Sequence, residues 1–396
     1  MKKILNEEFY HLKGPDEWAS PPSIYSFSSL KDIERCPLGW QLRNSKYKGF
    51  DRLPSRPNPA GVEGEIIHSV VEKIFRSLAK YGMPEIGSEV FRACITNLEI
   101  HESISDLIRD HEAGIANHPR RSGFRLRSSS QQIQNKVVRI FREQYGRIRT
   151  HTPHLIMKPP LYSYEKIHPD LYTNTNYTDL IDLYRVITEL PLQHLELPYK
   201  GIIDFVCKDA DGIIISDFKS GSAKKDHKDQ VLSYVLLWTN RTGLIPRKVY
   251  IIYPDTTEAL EIDERILETT YTLLKNSILN ANSELSYVPA LGILDESCIY
   301  CDVRQFCEPY WSQESNNKFI ERNSTSIDRE VVIVELPSEY GFIGMCRDHC
   351  KINIVYDKDL ANSLGPLKAG ETLRILGGSW QNNTIEIRPW TEIFHR

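Results

Sequence analysis

The sequence predicts an α/β protein: a mixed sheet with helices, followed by a small β-rich domain. Three observations carry this expectation. GIIDFVCKDADGIIISDFKSG (Gly201–Gly221) reads as a β-hairpin, because the apolar runs Ile202–Val206 and Ile213–Ile215 flank a Lys-Asp-Ala-Asp-Gly turn. After it a helical pattern (KKDHKDQVLSYVLLWTN), a strand at Lys248–Tyr253 and a helix near Asp263–Asn282 follow one another, the alternation of a layered α/β core. From Glu330 onward the pattern changes to short β runs broken by Gly and Asn turns: Val331–Leu336, Phe342–Cys346, Ile352–Val355, Thr372–Leu376 and Thr384–Pro389.

Composition sets the outer bounds. The 396 residues suffice for two or three domains, and 26% charged and 40% hydrophobic residues are ordinary for a globular protein. A net charge of −4 argues against a binder coated in positive charge but leaves room for a local basic groove. No apolar run approaches the ~20 residues of a membrane span. The start, MKKILNEEFY, turns acidic before any hydrophobic region forms, so the expectation is a cytoplasmic protein without a signal peptide. In that reducing setting eight cysteines point to metal rather than disulfides.

In chain order, residues 1–23 read as an irregular arm. Ser28 or Ser29 then caps a helix with Leu30 and Ile33 on its apolar face, and Pro37 ends or kinks it. A Pro-rich linker (Leu53–Ala60) leads to GVEGEIIHSVVEKIFRSLAKYG, where Ile66, Val70, Ile74 and Leu78 recur at helical spacing. Gly61, Gly64 and His68 fall on another stripe of that helix, so something approaches closely there and His68 is a candidate ligand. Residues 83–160 read as a mostly helical insertion with a basic centre. From Arg120 to Arg149 nine Lys/Arg face a single Glu143, a local balance of +8 suited to phosphate, with Phe124, Phe141 and Tyr145 available to stack on bases. TELPLQHLELPYKG is expected to be a strand entering the hairpin, with Glu189 and Glu196 either supplying a further carboxylate or simply exposed.

The hairpin carries the chemistry. With Ala210-Asp211 as its two-residue loop, Asp204 lies opposite Asp217; with Asp211-Gly212, Asp204 lies opposite Lys219 and Asp217 is diagonal. In both registers the three share a face, and two carboxylates that close need a cation between them. On the following helix Gln230 and Tyr234 are four apart and project together. Further on, CIYCDVRQFC spaces Cys298, Cys301 and Cys307 as C-x2-C-x5-C. Cys36 is the candidate fourth ligand, and one remote cysteine plus a triplet favours an iron–sulfur cluster over zinc. Cys94 and Cys207 read as core residues, Cys346 and Cys350 as non-ligating. Residues 312–329 read as a polar linker, and residues 330–396 as an OB-like barrel in which Trp380 and Trp390 either stack on bases or close the barrel.

These motifs together resemble the PD-(D/E)xK nuclease superfamily, in particular its RecB-like exonucleases with an iron–sulfur cluster, such as AddB-type nuclease domains and CRISPR-associated adaptation nucleases. G-x-x-G-x-x-x-H spans Gly61 to His68, G-x-x-D spans Gly201 to Asp204, D-x-K-x-G spans Asp217 to Gly221, and Q-x-x-x-Y spans Gln230 to Tyr234. The resemblance covers residues 24–311 and implies a restriction-endonuclease-like sheet core. It implies Mg²⁺ or Mn²⁺ on His68, Asp204, Asp217 and the Phe218 carbonyl, with Lys219 handling the attacking water and Gln230 and Tyr234 positioning the strand to be cut. A [4Fe-4S] cluster would sit on Cys36, Cys298, Cys301 and Cys307. Arg120, Arg121, Arg125, Arg127, Lys136 and Arg139 would line an arch for single-stranded DNA. The expected function is a DNA exonuclease of repair, recombination or antiviral defence. A helicase or other subunit is an expected partner, since no G-x-x-x-x-G-K-[ST] motif occurs.

Overall fold

The computed structural model describes residues 9–81, 83–121, 124–151, 186–209, 212–219, 221–253, 256–312, 321–322, 326–357 and 367–396. The end of the basic insertion, residues 152–160, lies outside them.

Helix α1 (Phe27–Arg35) is capped by Ser26, whose side chain accepts from the Ser29 amide while Ser29 reaches back, a capping box two or three residues earlier than the sequence suggests. Pro37 does more than stop this helix. It opens α2 (Pro37–Asn44), where a missing N–H costs nothing, and the Cys36 sulfur caps the new helix by accepting from the Gly39 amide at 3.3 Å. Helix α3 (Pro59–Ala79) buries Ile66, Val70, Ile74 and Leu78 as its spacing requires. The insertion supplies α4 (Glu89–Asn97), α5 (Ile100–Ile115) and α6 (Ser130–His151).

Five strands make the first sheet, in order β1 (Val186–Gln193), β2 (Lys200–Asp209), β3 (Gly212–Phe218), β4 (Lys248–Ile252) and β5 (Thr257–Glu261). Only β3 and β4 run parallel, and α7 (Lys225–Thr242) is the crossover between them. Strand β5 escaped the sequence reading because its residues are mostly exposed and polar. One face of the sheet packs on α7 and α8 (Glu264–Glu284), the other on α3 and the insertion helices. Phe141 and Tyr145 belong to that second core, which removes them from any base-stacking surface.

After α9 (Glu308–Ser312) come β6 (Glu321–Arg322), β7 (Ser326–Ser338), β8 (Gly341–Cys346), β9 (Lys351–Val355), β10 (Thr372–Gln381), β11 (Thr384–Glu386) and β12 (Glu392–His395). Strands β7, β8, β9, β11 and β10 close into a five-stranded barrel, with β9 and β11 parallel and β10 returning to β7. Strand β10 changes register between Ile375 and Gly378, and a Cβ on Gly378 would collide with Ile385 of the adjoining strand β11. The barrel therefore begins at Ser326, inside the stretch read as linker.

The N-terminal arm, irregular in backbone, is packed down from Phe9 on. Phe9 and Leu12 are buried in a cluster with Leu38, Val303, Trp311, Leu376 and Phe394, which joins the arm, the cysteine segment and the barrel. Buried ion pairs run through the same seam. Arg120 donates to both Glu392 oxygens at 2.8 Å and to the Asp302 carbonyl at 2.7 Å. Arg304 donates to Asp328, and Arg374 to Glu330 and Glu308. Among the described residues no helix is long and apolar enough to cross a membrane.

Candidate active site

The hairpin closes with Asp209 paired to Gly212, so its loop is Ala210-Asp211, and the ladder runs back to Phe205 opposite Ser216. One step further places Asp204 and Asp217 side by side. On the other flank Thr188 pairs with Phe205 and Leu190 with Ile203, bracketing Glu189 and Asp204. Three neighbouring strands thus each bring one carboxylate to the same level of the sheet. Strict alternation breaks there: Ile187 and Leu190, three apart, share one core, and so do Ile203 and Val206. Glu189 carries the break in its backbone, with φ +48° in mid-strand.

Helix α3 lays His68 over this row. Its Nδ1 lies 3.7 Å from Asp204 Oδ2, and the ring is near the Phe218 backbone. His68, Glu189 and Asp204 bring one ligand atom each within 4.8 Å of one another. Asp204 Oδ2 also accepts from the Phe218 amide at 2.8 Å, which fixes its rotamer. Asp217 is buried and pairs with Lys219 Nζ at 2.8 Å. Lys219 in turn donates to Gln230 Oε1 at 2.7 Å, and Gln230 Nε2 to the Tyr234 hydroxyl at 2.7 Å. The glycine of G-x-x-D has a steric reason: a Cβ on Gly201 would lie 2.7 Å from Tyr234 Cε1.

Electrostatically the row is short of positive charge. Burial raises the Asp204 carboxyl despite Lys219, and burial plus Asp204 raises Asp217. Burial, then Asp204, pushes Glu189 up to about 7. His68 is lowered by burial, which favours the neutral imidazole, the form that can ligate a metal. Hard oxygen donors plus one imidazole fit Mg²⁺ or Mn²⁺. Glu196 takes no part: it is exposed, away from the row, beside His194.

Comparison with protein families matches residues 24–308 to the PD-(D/E)XK nuclease superfamily. The chain belongs to that superfamily. Membership implies metal-dependent phosphodiester chemistry on nucleic acid, in accord with the His-Glu-Asp cluster. Among solved structures, the crystal structure of SSO0001 matches at 20% identity and a TM-score of 0.22, over 34% of this chain and 66% of that one, just short of two thirds of its length. No curated protein matches.

This PD-(D/E)XK chain has a second cluster. Cys36, Cys298, Cys301 and Cys307 line one cavity of about 170 Å³ between α2 and the loop before α9. Burial pushes the Cys307 thiol up to about 12, and the other three sulfurs add to the rise. The four thiols of this cavity come from two distant parts of the chain, Cys36 before α2 and the other three from the loop before α9. Cys94 and Cys207 are buried in the core, and Cys346 lies in the barrel interior.

The basic residues divide. Arg120, expected on DNA, is buried under the barrel and bonded to Glu392, because a guanidinium fork matches a buried carboxylate better than any other cation does. Lys136 is held by Glu63 at 3.4 Å and by Ser128, within a knot that also ties the Arg127 amide to Glu63. Arg121, Arg125, Arg127 and Arg139 are exposed on the surface.

Proposed function

We propose that this protein is a DNA nuclease that trims single strands or ends, that its divalent ion sits on His68, Asp204, Asp217 and the Phe218 carbonyl, and that Cys36, Cys298, Cys301 and Cys307 hold a [4Fe-4S] cluster. The observation that carries the nuclease reading is the continuous contact chain Asp217–Lys219–Gln230–Tyr234 beside the carboxylate row. A divalent ion there supplies a low-pKa water and neutralises charge on the phosphate. Lys219, tethered on two sides, is placed to hydrogen-bond and orient the attacking water. Gln230 and Tyr234 have amide and hydroxyl groups to offer the phosphate next to the cut. Arg121, Arg125, Arg127 and Arg139 would guide the strand inward by charge.

The gathering of the four thiols around a shared cavity supports a cluster, which would staple α2 to the end of the nuclease domain. The five-stranded closure supports an OB-like barrel, a class that binds oligonucleotides on one face and its loops, and Trp390 is exposed there for stacking. A helicase or other repair or defence subunit would deliver the substrate.

End-labelled single- and double-stranded DNA incubated with Mg²⁺ or Mn²⁺ tests this directly. Stepwise shortening of one strand is expected from the wild type and should vanish in Asp217→Ala while DNA binding persists. Binding without cleavage by the wild type under any metal would leave a DNA-holding subunit instead. An anaerobically purified brown protein absorbing near 400 nm is the expected sign of the cluster, and a colourless zinc-loaded one would refute it.

A further inference from the structure

The family motifs leave Glu189 out, yet it forms one group with His68 and Asp204, a ligand atom of each lying within 4.8 Å of the others. We propose that Glu189 is a further ligand of the divalent ion and sets the charge balance that makes this site bind metal before DNA. The inference rests on the nuclease reading above and adds a donor to it.

The geometry is the first support. Glu189 stands at the same level as Asp204 and Asp217 on the adjoining strand, and its left-handed backbone interrupts the alternation that would otherwise continue along β1. An isolated strand gains nothing from a glutamate in that conformation, so the cost is retained for what the side chain reaches. What it reaches is an imidazole and a carboxylate within 4.8 Å.

Charge is the second support. With all three carboxylates ionised, as an ion-bound site requires, Glu189, Asp204 and Asp217 together with Lys219 leave the constellation at −2, and the neighbouring Arg76 is already answered by Glu72. One divalent ion cancels −2. With Glu189 neutral the remainder is −1, and the same ion overshoots. Like charges this close repel one another and any incoming phosphodiester until the cation arrives. Metal binding therefore precedes productive DNA binding.

The test uses the full chain and Mn²⁺ alone, followed by electron paramagnetic resonance and calorimetry. Glu189→Gln should weaken Mn²⁺ binding about 10- to 100-fold, Glu189→Asp less, and Glu196→Gln not at all. A second readout needs no catalysis: in chelator, Glu189→Gln should bind a single-stranded oligonucleotide more tightly than the wild type. Should Glu189→Gln fold with a wild-type circular dichroism spectrum and bind Mn²⁺ within twofold of wild type, Glu189 is no ligand. Should Glu189→Gln misfold, Glu189→Asp decides alone, and wild-type Mn²⁺ affinity in that variant overturns the proposal. A wild type that binds Mn²⁺ through Glu189 yet cuts nothing would sink the nuclease reading and leave this one standing.

Discussion

Two groups of acids drawn out of solvent in this molecule have opposite surroundings. In the sheet, Glu189, Asp204 and Asp217 share one lysine, and burial raises all three carboxyls. At the seam under the barrel each acid has its own guanidinium: Arg120 and Arg56 hold Glu392 down to about 2, and Arg304 holds Asp328 low. A fold that neutralises three acids so fully in one place has the means to do so in the other. The shortage of positive charge in the sheet is therefore specific to the site, in accord with the metal-dependent superfamily, whereas the seam is finished architecture.

The largest test of this contrast removes one acid from each region. Asp217→Ala should lower cleavage at least about 10³-fold without destabilising the metal-free chain, measured by initial rates and urea unfolding. Glu392→Ala should do the reverse, costing about 3–5 kcal/mol of stability by stranding Arg120, while the double change Arg120→Met with Glu392→Leu recovers most of it. A stable Glu392→Ala protein would break the comparison.

Next in size is Gly201→Ala. Its Cβ would press on the Tyr234 ring, costing about 1–3 kcal/mol and shifting the Tyr234–Gln230–Lys219 chain, so kcat should fall more than KM rises. Acid should then act on the seam. Glu392 is held below its ordinary carboxyl value, so its contribution is complete above about pH 4.5 and is lost as pH falls toward about 2. Thermal melts of the wild type should show that acid-side loss, and Glu392→Gln should flatten it. The smallest effect belongs to the exposed arginines: Arg125→Ala or Arg139→Ala should weaken DNA binding several-fold and reduce the salt slope by about 1 each, leaving stability unchanged.

How far the sequence carries depends on the range of the interaction. The hairpin, α3, α7 and the barrel strands are local patterns, and their periodicity reads directly. Asp204, Asp217 and Lys219 were legible because a two-residue loop fixes their register. Glu189 was only half legible: a carboxylate before the hairpin was noticed, but the backbone twist that turns it inward has no signature in TELPLQ. Arg120 misled because a run of arginines looks alike whether it faces phosphate or a glutamate 272 residues away. The packing of the irregular arm had no signature for the same reason, since the cluster that buries Phe9 includes residues as remote as Phe394.

That last contact reaches the cysteine segment as well. Phe306, next to Cys307, packs on Phe394 of β12, so the segment carrying three of the four thiols shares one aromatic cluster with the barrel and with Phe9. A substitution that loosens the barrel wall would therefore be felt at the thiols, transmitted by close packing rather than by any bond.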